Sequence, residues 1–170
     1  MKRLVLSIAL VVILKPCLAQ ESAADLGVAA IGMVVSDIET SEKFYTEIIG
    51  MTPAGSFDLS SEWSKEAGAA NGLPFSVKMF KMVDKDAATI LKLAYFDEVE
   101  PRPKQTGVNE HAGVNYLTFK YTKAKFQKVV SRLEEANIKR LGWVKRESYQ
   151  LIFIKDPDGI FIELVGPPEI

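Results

Sequence analysis

The feature that most constrains this chain is a repeated order of elements: strand, helix, then three strands, written twice along 170 residues. In the first half, residues 28–35 form an apolar run rich in β-branched side chains. Ser36, Asp37, Ile38 and Glu39 follow as a capping box, with Ser36 as the cap and Glu39 reaching back. The predicted helix runs to about Ile49, with Ile38, Phe44, Tyr45, Ile48 and Ile49 on one face and Gly50 as its left-handed stop. Strands are predicted over 52–59, 75–83 and 89–95, with a short helix within 60–70. In the second half a strand over 114–121 precedes a helix over 123–136, whose Phe126, Val129, Val130 and Leu133 share a stripe. Strands over 138–145, 149–155 and 160–165 complete the pattern. Asp156-Pro157-Asp158-Gly159 is a tight turn before the last of them, because proline fixes φ and glycine is free to take a positive one.

One such unit leaves a sheet face and a helix stripe half-buried. Two units can bury them jointly, which predicts an α+β fold of paired βαβββ modules forming a curved mixed sheet, with helices outside and a cleft inside. Residues 28–96 make the first module and 113–168 the second, together one domain over 28–168. Residues 97–112 hold two prolines and many charges without periodicity and read as a linker. Two unrelated α+β layers of similar order are the alternative.

The N-terminus reads as a secretory signal peptide, residues 1–19. Lys2 and Arg3 precede an apolar run from Leu4 to Leu14, and Cys17-Leu18-Ala19 fits a small-x-small cut. Eleven residues at ~1.5 Å each cover only about half of a ~30 Å bilayer core, too little for a spanning helix. The expectation is cleavage after Ala19 and a periplasmic or secreted protein; a lipid on Cys17 and an uncleaved anchor are the alternatives. Cys17 is the only cysteine, so the remaining chain has no disulfide and no thiol chemistry. The removed segment carries Lys2, Arg3 and Lys15 and no acid, so what remains is three charges more negative than the −1 of the whole chain. That balance disfavours nucleic acid as a partner. No later apolar run reaches membrane length.

Two segments, IGMVVSDIETSEKFYTEIIGM (31–51) and LIFIKDPDGIFIELVGP (151–167), together with the order of elements, resemble the vicinal-oxygen-chelate superfamily of glyoxalase, bleomycin-resistance and dioxygenase-like proteins. The resemblance covers roughly residues 28–168. It implies a divalent metal held by four side chains, mostly His and Glu, one from each of four strands lining the cleft. It also implies that halves can pair between chains in a homodimer. The matching positions here are Ala30, Lys92, Tyr116 and Glu163. Ala30 has no donor atom, Lys92 is a cation, and Tyr116 is a poor ligand unless deprotonated. Glu163 alone is too little for a divalent ion, which needs three or four donors. No metal and no cofactor are therefore expected.

Alternation along strands places Ala30, Gly32, Val34, Lys92, Ala94, Tyr116, Thr118, Phe161, Glu163 and Val165 on the cleft side. Lys92 and Glu163 become the candidate catalytic pair, expected to face each other where the metal would sit, either as a structural ion pair or as a pair that orients a ligand. Ala30, Tyr116, Thr118 and Phe161 become candidate ligand contacts. Trp63, Trp143 and Tyr149 are candidates for the cleft mouth, and the only histidine, His111, lies in the linker. Three functions remain open. The first is a protein that binds a small organic molecule without metal. The second is an enzyme, resembling lactoylglutathione lyases, isomerases or dioxygenases, that uses a shifted metal site or a Lys92–Glu163 acid–base pair. The third is a structural or interaction protein whose cleft is filled by side chains.

Overall fold

The computed structural model describes residues 27–169; the signal segment expected at 1–19 lies outside them. The chain runs β1 (Ala30–Val34), α1 (Ile38–Lys43), β2 (Thr52–Leu59), α2 (Ser61–Glu66), β3 (Phe75–Lys81), β4 (Ile90–Tyr95), β5 (Tyr116–Lys120), α3 (Lys123–Glu135), β6 (Gly142–Lys145), β7 (Gln150–Lys155) and β8 (Phe161–Gly166). Both predicted modules form. Their sheets have the same topology, β1-β4-β3-β2 and β5-β8-β7-β6. In each, the first and last strands pair in parallel and the remaining pairs are antiparallel. Among the described residues no ladder joins one sheet to the other, and the modules are held together by side chains.

The start of α1 differs from expectation. Asp37 is the cap: its backbone is extended and its carboxylate accepts the Thr40 N–H at 2.9 Å. Ser36 is engaged elsewhere, its N–H and hydroxyl donating to Asp158 Oδ1 at 3.0 and 2.5 Å. After Lys43 the helix widens into a π turn, Phe44–Ile48, with the Ile49 N–H reaching the Phe44 carbonyl at 3.0 Å. Gly50 then takes φ +87°, the expected left-handed stop. The carbonyls this end frees are met by the second module. Tyr121 donates its hydroxyl to the Ile49 carbonyl at 3.0 Å, and Arg132 donates Nη1 to that of Ile48 at 3.4 Å.

One continuous core unites the modules. Leu91, Leu93, Leu117, Phe119, Ile152, Ile154, Ile162 and Leu164 are buried on the helix side of the two sheets, and Tyr45, Ile49, Phe126, Val129 and Leu133 meet them from the helices. Helix α3 approaches β8 most closely at Gly166, where an added Cβ would fall 2.4 Å from the Phe126 ring.

The turn 156–159 is the polar junction of the molecule. Gly159 has φ +86°, as its place in the turn requires. Asp156 is buried; Oδ1 accepts the Ile160 N–H at 2.7 Å and Oδ2 accepts the Tyr45 hydroxyl at 2.8 Å. Asp158 reaches Ser36 and, at 3.4 Å, the hydroxyl of buried Ser41. Burial pushes the Asp156 carboxyl up to about 6, against the hydrogen bonds from Tyr45 and Ile160 that favour its charged form. Burial, followed by the charge of Asp156, raises the Tyr45 hydroxyl as well. The two segments that carry the family resemblance are thus bonded to each other.

Residues 97–112 form no helix or strand, yet they are anchored. Gln105 is only 3 % exposed. Its side-chain oxygen accepts from Arg102, its amide donates to Asn115 Oδ1 at 3.3 Å, and its backbone carbonyl accepts from Lys155.

Candidate functional site

The four positions matched to a metal site share one register in both modules. Lys92 of β4 stands opposite Gly32 of β1, and Glu163 of β8 stands opposite Thr118 of β5. Ala30 and Tyr116 lie two residues before Gly32 and Thr118 on their strands. The expected alternation also holds. Ala30, Gly32 and Val34 are exposed while Ile31 and Met33 are less so; Tyr116 and Thr118 are exposed while Leu117 and Phe119 are buried. Lys92 and Glu163 are half-buried between buried neighbours. Each sheet therefore has one face packed on helices and one open face, and the candidate residues lie on the open faces.

The expected pairing of Lys92 with Glu163 is not made. Among the described residues no ion pair joins them. Lys92 Nζ lies 5.9 Å from the centroid of the Phe57 ring, at the limit of a cation–π contact. Glu163 Oε2 accepts the Thr118 hydroxyl at 2.6 Å. The two charges stand in different sheets and both reach water, so neither carries the desolvation cost that would force a pair.

Tyr116 is 50 % exposed and meets Phe153 edge-on, ring centroids 6.3 Å apart. Phe161 shares this face by its register with Tyr116 and Lys155, but only 4 % of it is exposed. Lys155 lies over its ring at 4.7 Å while donating to the Gln105 carbonyl, so Lys155 helps cover this candidate ligand contact. Trp63 is exposed and packs edge-on against Phe75, which stacks on Phe96 at 4.9 Å. Trp143 does not belong to the open face. It stands opposite fully buried Ile152, donates Nε1 to Gln150 at 3.2 Å, and borders a hollow with Phe126 and Val130 of α3. Tyr149 is exposed ahead of β7, and His111 is exposed in the linker. Sequence reasoning missed Phe57, which alternation along β2 would have suggested, and Gln105, for which a polar linker carries no signal.

The donor set does not fit a divalent metal. A methyl group, an ammonium, a phenol and one carboxylate occupy the four positions, and among the described residues no group of three or more His, Cys, Asp or Glu side chains is placed to hold an ion.

No curated protein matches this chain. Solved structures do. A glyoxalase family protein from Bacillus cereus aligns with a TM-score of 0.69 at 22% identity, over 84% of this chain and 95% of that one. A glyoxalase/dioxygenase from Nostoc punctiforme aligns at 0.59 and 26% identity, over 95% and 100%. The trypanothione-dependent glyoxalase I of Leishmania major aligns at 0.59 and 19% identity, over 82% and 85%. These likenesses establish the fold. The family model of the glyoxalase/bleomycin resistance protein/dioxygenase superfamily matches residues 27–164, and the chain belongs to that superfamily.

Proposed function

We propose that this protein is an exported member of the superfamily that binds a small organic molecule on its open face without a divalent metal. The observation that carries this reading is the donor set at Ala30, Lys92, Tyr116 and Glu163, which offers one competent ligand where an ordinary site needs three or four. One further observation favours binding over a cleft filled by side chains: Val34 and Tyr116 are each about half exposed, so side chains do not fill the face. The basic start and short apolar run support export, with removal of residues 1–19 and a periplasmic or secreted location. The negative balance of the remaining chain disfavours nucleic acid as a partner. Members of this family commonly dimerise, and a homodimer is part of the proposal.

Metal analysis of the purified protein tests it. The expected result is no stoichiometric Zn²⁺, Ni²⁺ or Mn²⁺, with binding appearing in a variant that carries Ala30→His, Lys92→Glu and Tyr116→His beside the native Glu163. Stoichiometric metal on the unmodified protein, lost on Glu163→Gln, would restore the metal enzyme as the leading reading.

A further inference from the structure

We propose that the seam between the two sheets is the second half of the ligand site, taking the aliphatic chain of a small amphiphile whose amine head rests on Glu163. This deepens the proposed function and rests on the open face being the ligand face.

Beside the seam lies a hollow of about 370 Å³, near the lower end of the ~300–1,000 Å³ typical of small-ligand pockets. Its lining includes Leu117, Thr118 and Phe119, three consecutive residues of β5. Successive strand side chains point to opposite faces, so a hollow that touches all three lies at the edge of the strand rather than over either face. Ile31 reaches the same hollow from β1. β1 and β5 each end their own sheet, and no backbone ladder closes the gap between them. The hollow therefore lies along the free edge of β5, between its buried and open sides.

The chemistry of the two ends differs. On the inner side, buried Leu117, Phe119 and Met51, together with half-buried Met82, offer apolar side chains, and the methionines adapt to an irregular chain. On the outer side the lining includes Thr89 and Thr118, and the Thr118 hydroxyl donates to Glu163 Oε2 at 2.6 Å. No other side chain among the described residues donates to that carboxylate, so its second oxygen is open to a ligand. An ionised carboxylate only accepts hydrogen bonds, so the head it receives must donate them. A protonated primary amine supplies three donors and the opposite charge. An aliphatic chain in the hollow and an ammonium on Glu163 satisfy both ends at once.

Calorimetric titration of the purified full-length protein with butylamine, hexylamine and octylamine tests this. Affinity is expected to rise by up to about fourfold per added methylene. Ala88→Phe fills the hollow from its buried wall, and Val83→Phe fills it from its exposed rim with no change to the core. Both are expected to flatten the dependence on chain length. Glu163→Gln is expected to weaken all three amines by a common factor of about ten or more. A chain-length gain that survives both Phe substitutions overturns the hollow as the chain site, and the open-face reading then stands if Glu163→Gln still weakens binding. Unchanged affinity in Glu163→Gln overturns the head placement. Octanoate binding more tightly than octylamine assigns the head to a cation and overturns the amine.

Discussion

The 156–159 turn and the open face invite comparison, because each gathers charged and hydroxyl side chains and treats them oppositely. At the turn, Asp156 and Asp158 are bonded to Tyr45, Ile160, Ser36 and Ser41, and the central groups are buried. On the open face, Lys92 meets only an aromatic ring and Glu163 only Thr118, with water available to both. The first arrangement is costly to disturb; the second is free to change. In this protein the two segments that carry the family resemblance are therefore structural fasteners, while Lys92 and Glu163 on the open face make few side-chain contacts.

The sharpest way to break that contrast is Asp156→Ala, which strands the buried Tyr45 hydroxyl and the Ile160 N–H without acceptors. Two unsatisfied buried donors predict a loss of about 3–5 kcal/mol in urea denaturation. A loss below about 1 kcal/mol would mean that water replaces the carboxylate and that the junction is not the dry fastener described.

Titration of the same residue gives the next largest effect. The folded Asp156 carboxyl is held near about 6, above its ordinary 3.8. Its contribution to stability is fully present below the unfolded value and falls away as pH rises through about 6. Between about pH 4 and pH 7.5 the wild type should lose on the order of 2 kcal/mol relative to Asp156→Asn, whose side chain does not titrate. Melting curves of the two proteins across that range measure the difference, and parallel curves would place the carboxyl in water.

Gly159→Val should cost about 1–3 kcal/mol. The open space around a Cβ there leaves the positive φ as the only source of strain. Chemical denaturation of the variant reads the loss directly, and an unchanged midpoint would remove the backbone requirement from the turn. Smallest of all is Glu163→Gln, expected to change stability by less than about 1 kcal/mol because the pair it breaks is exposed to water. A larger loss would show that the open face carries structural weight after all.

Much of the fold was legible in the sequence because its signals are local. The apolar stripe Phe126, Val129, Leu133 placed α3 within a residue of its observed end, and β2 fell on the predicted 52–59. Errors arose where a distant partner decided the outcome. Ser36 and Asp37 are both good caps, and Asp158, 122 residues away, removed Ser36 from the competition. The strand predicted from 138 begins only at Gly142, where pairing with Phe153 of β7 starts. At the candidate site the face of each residue followed from alternation, a local rule. The Lys92–Glu163 pair did not form, because its geometry depends on how two sheets without a shared ladder sit against each other. Gln105 was invisible for the same reason: its burial comes from Lys155 on another strand.

The π turn at the end of α1 sets a limit on insertion and deletion. In this wide turn the Ile49 N–H reaches back to the Phe44 carbonyl, while the consecutive residues Phe44 and Tyr45 both stay in the interior. A lineage could vary outward-facing Glu47 freely. Losing a single residue from this stretch would restore regular helix and swing the Tyr45 hydroxyl away from Asp156. The length of this segment, more than its composition, sets where that hydroxyl lies.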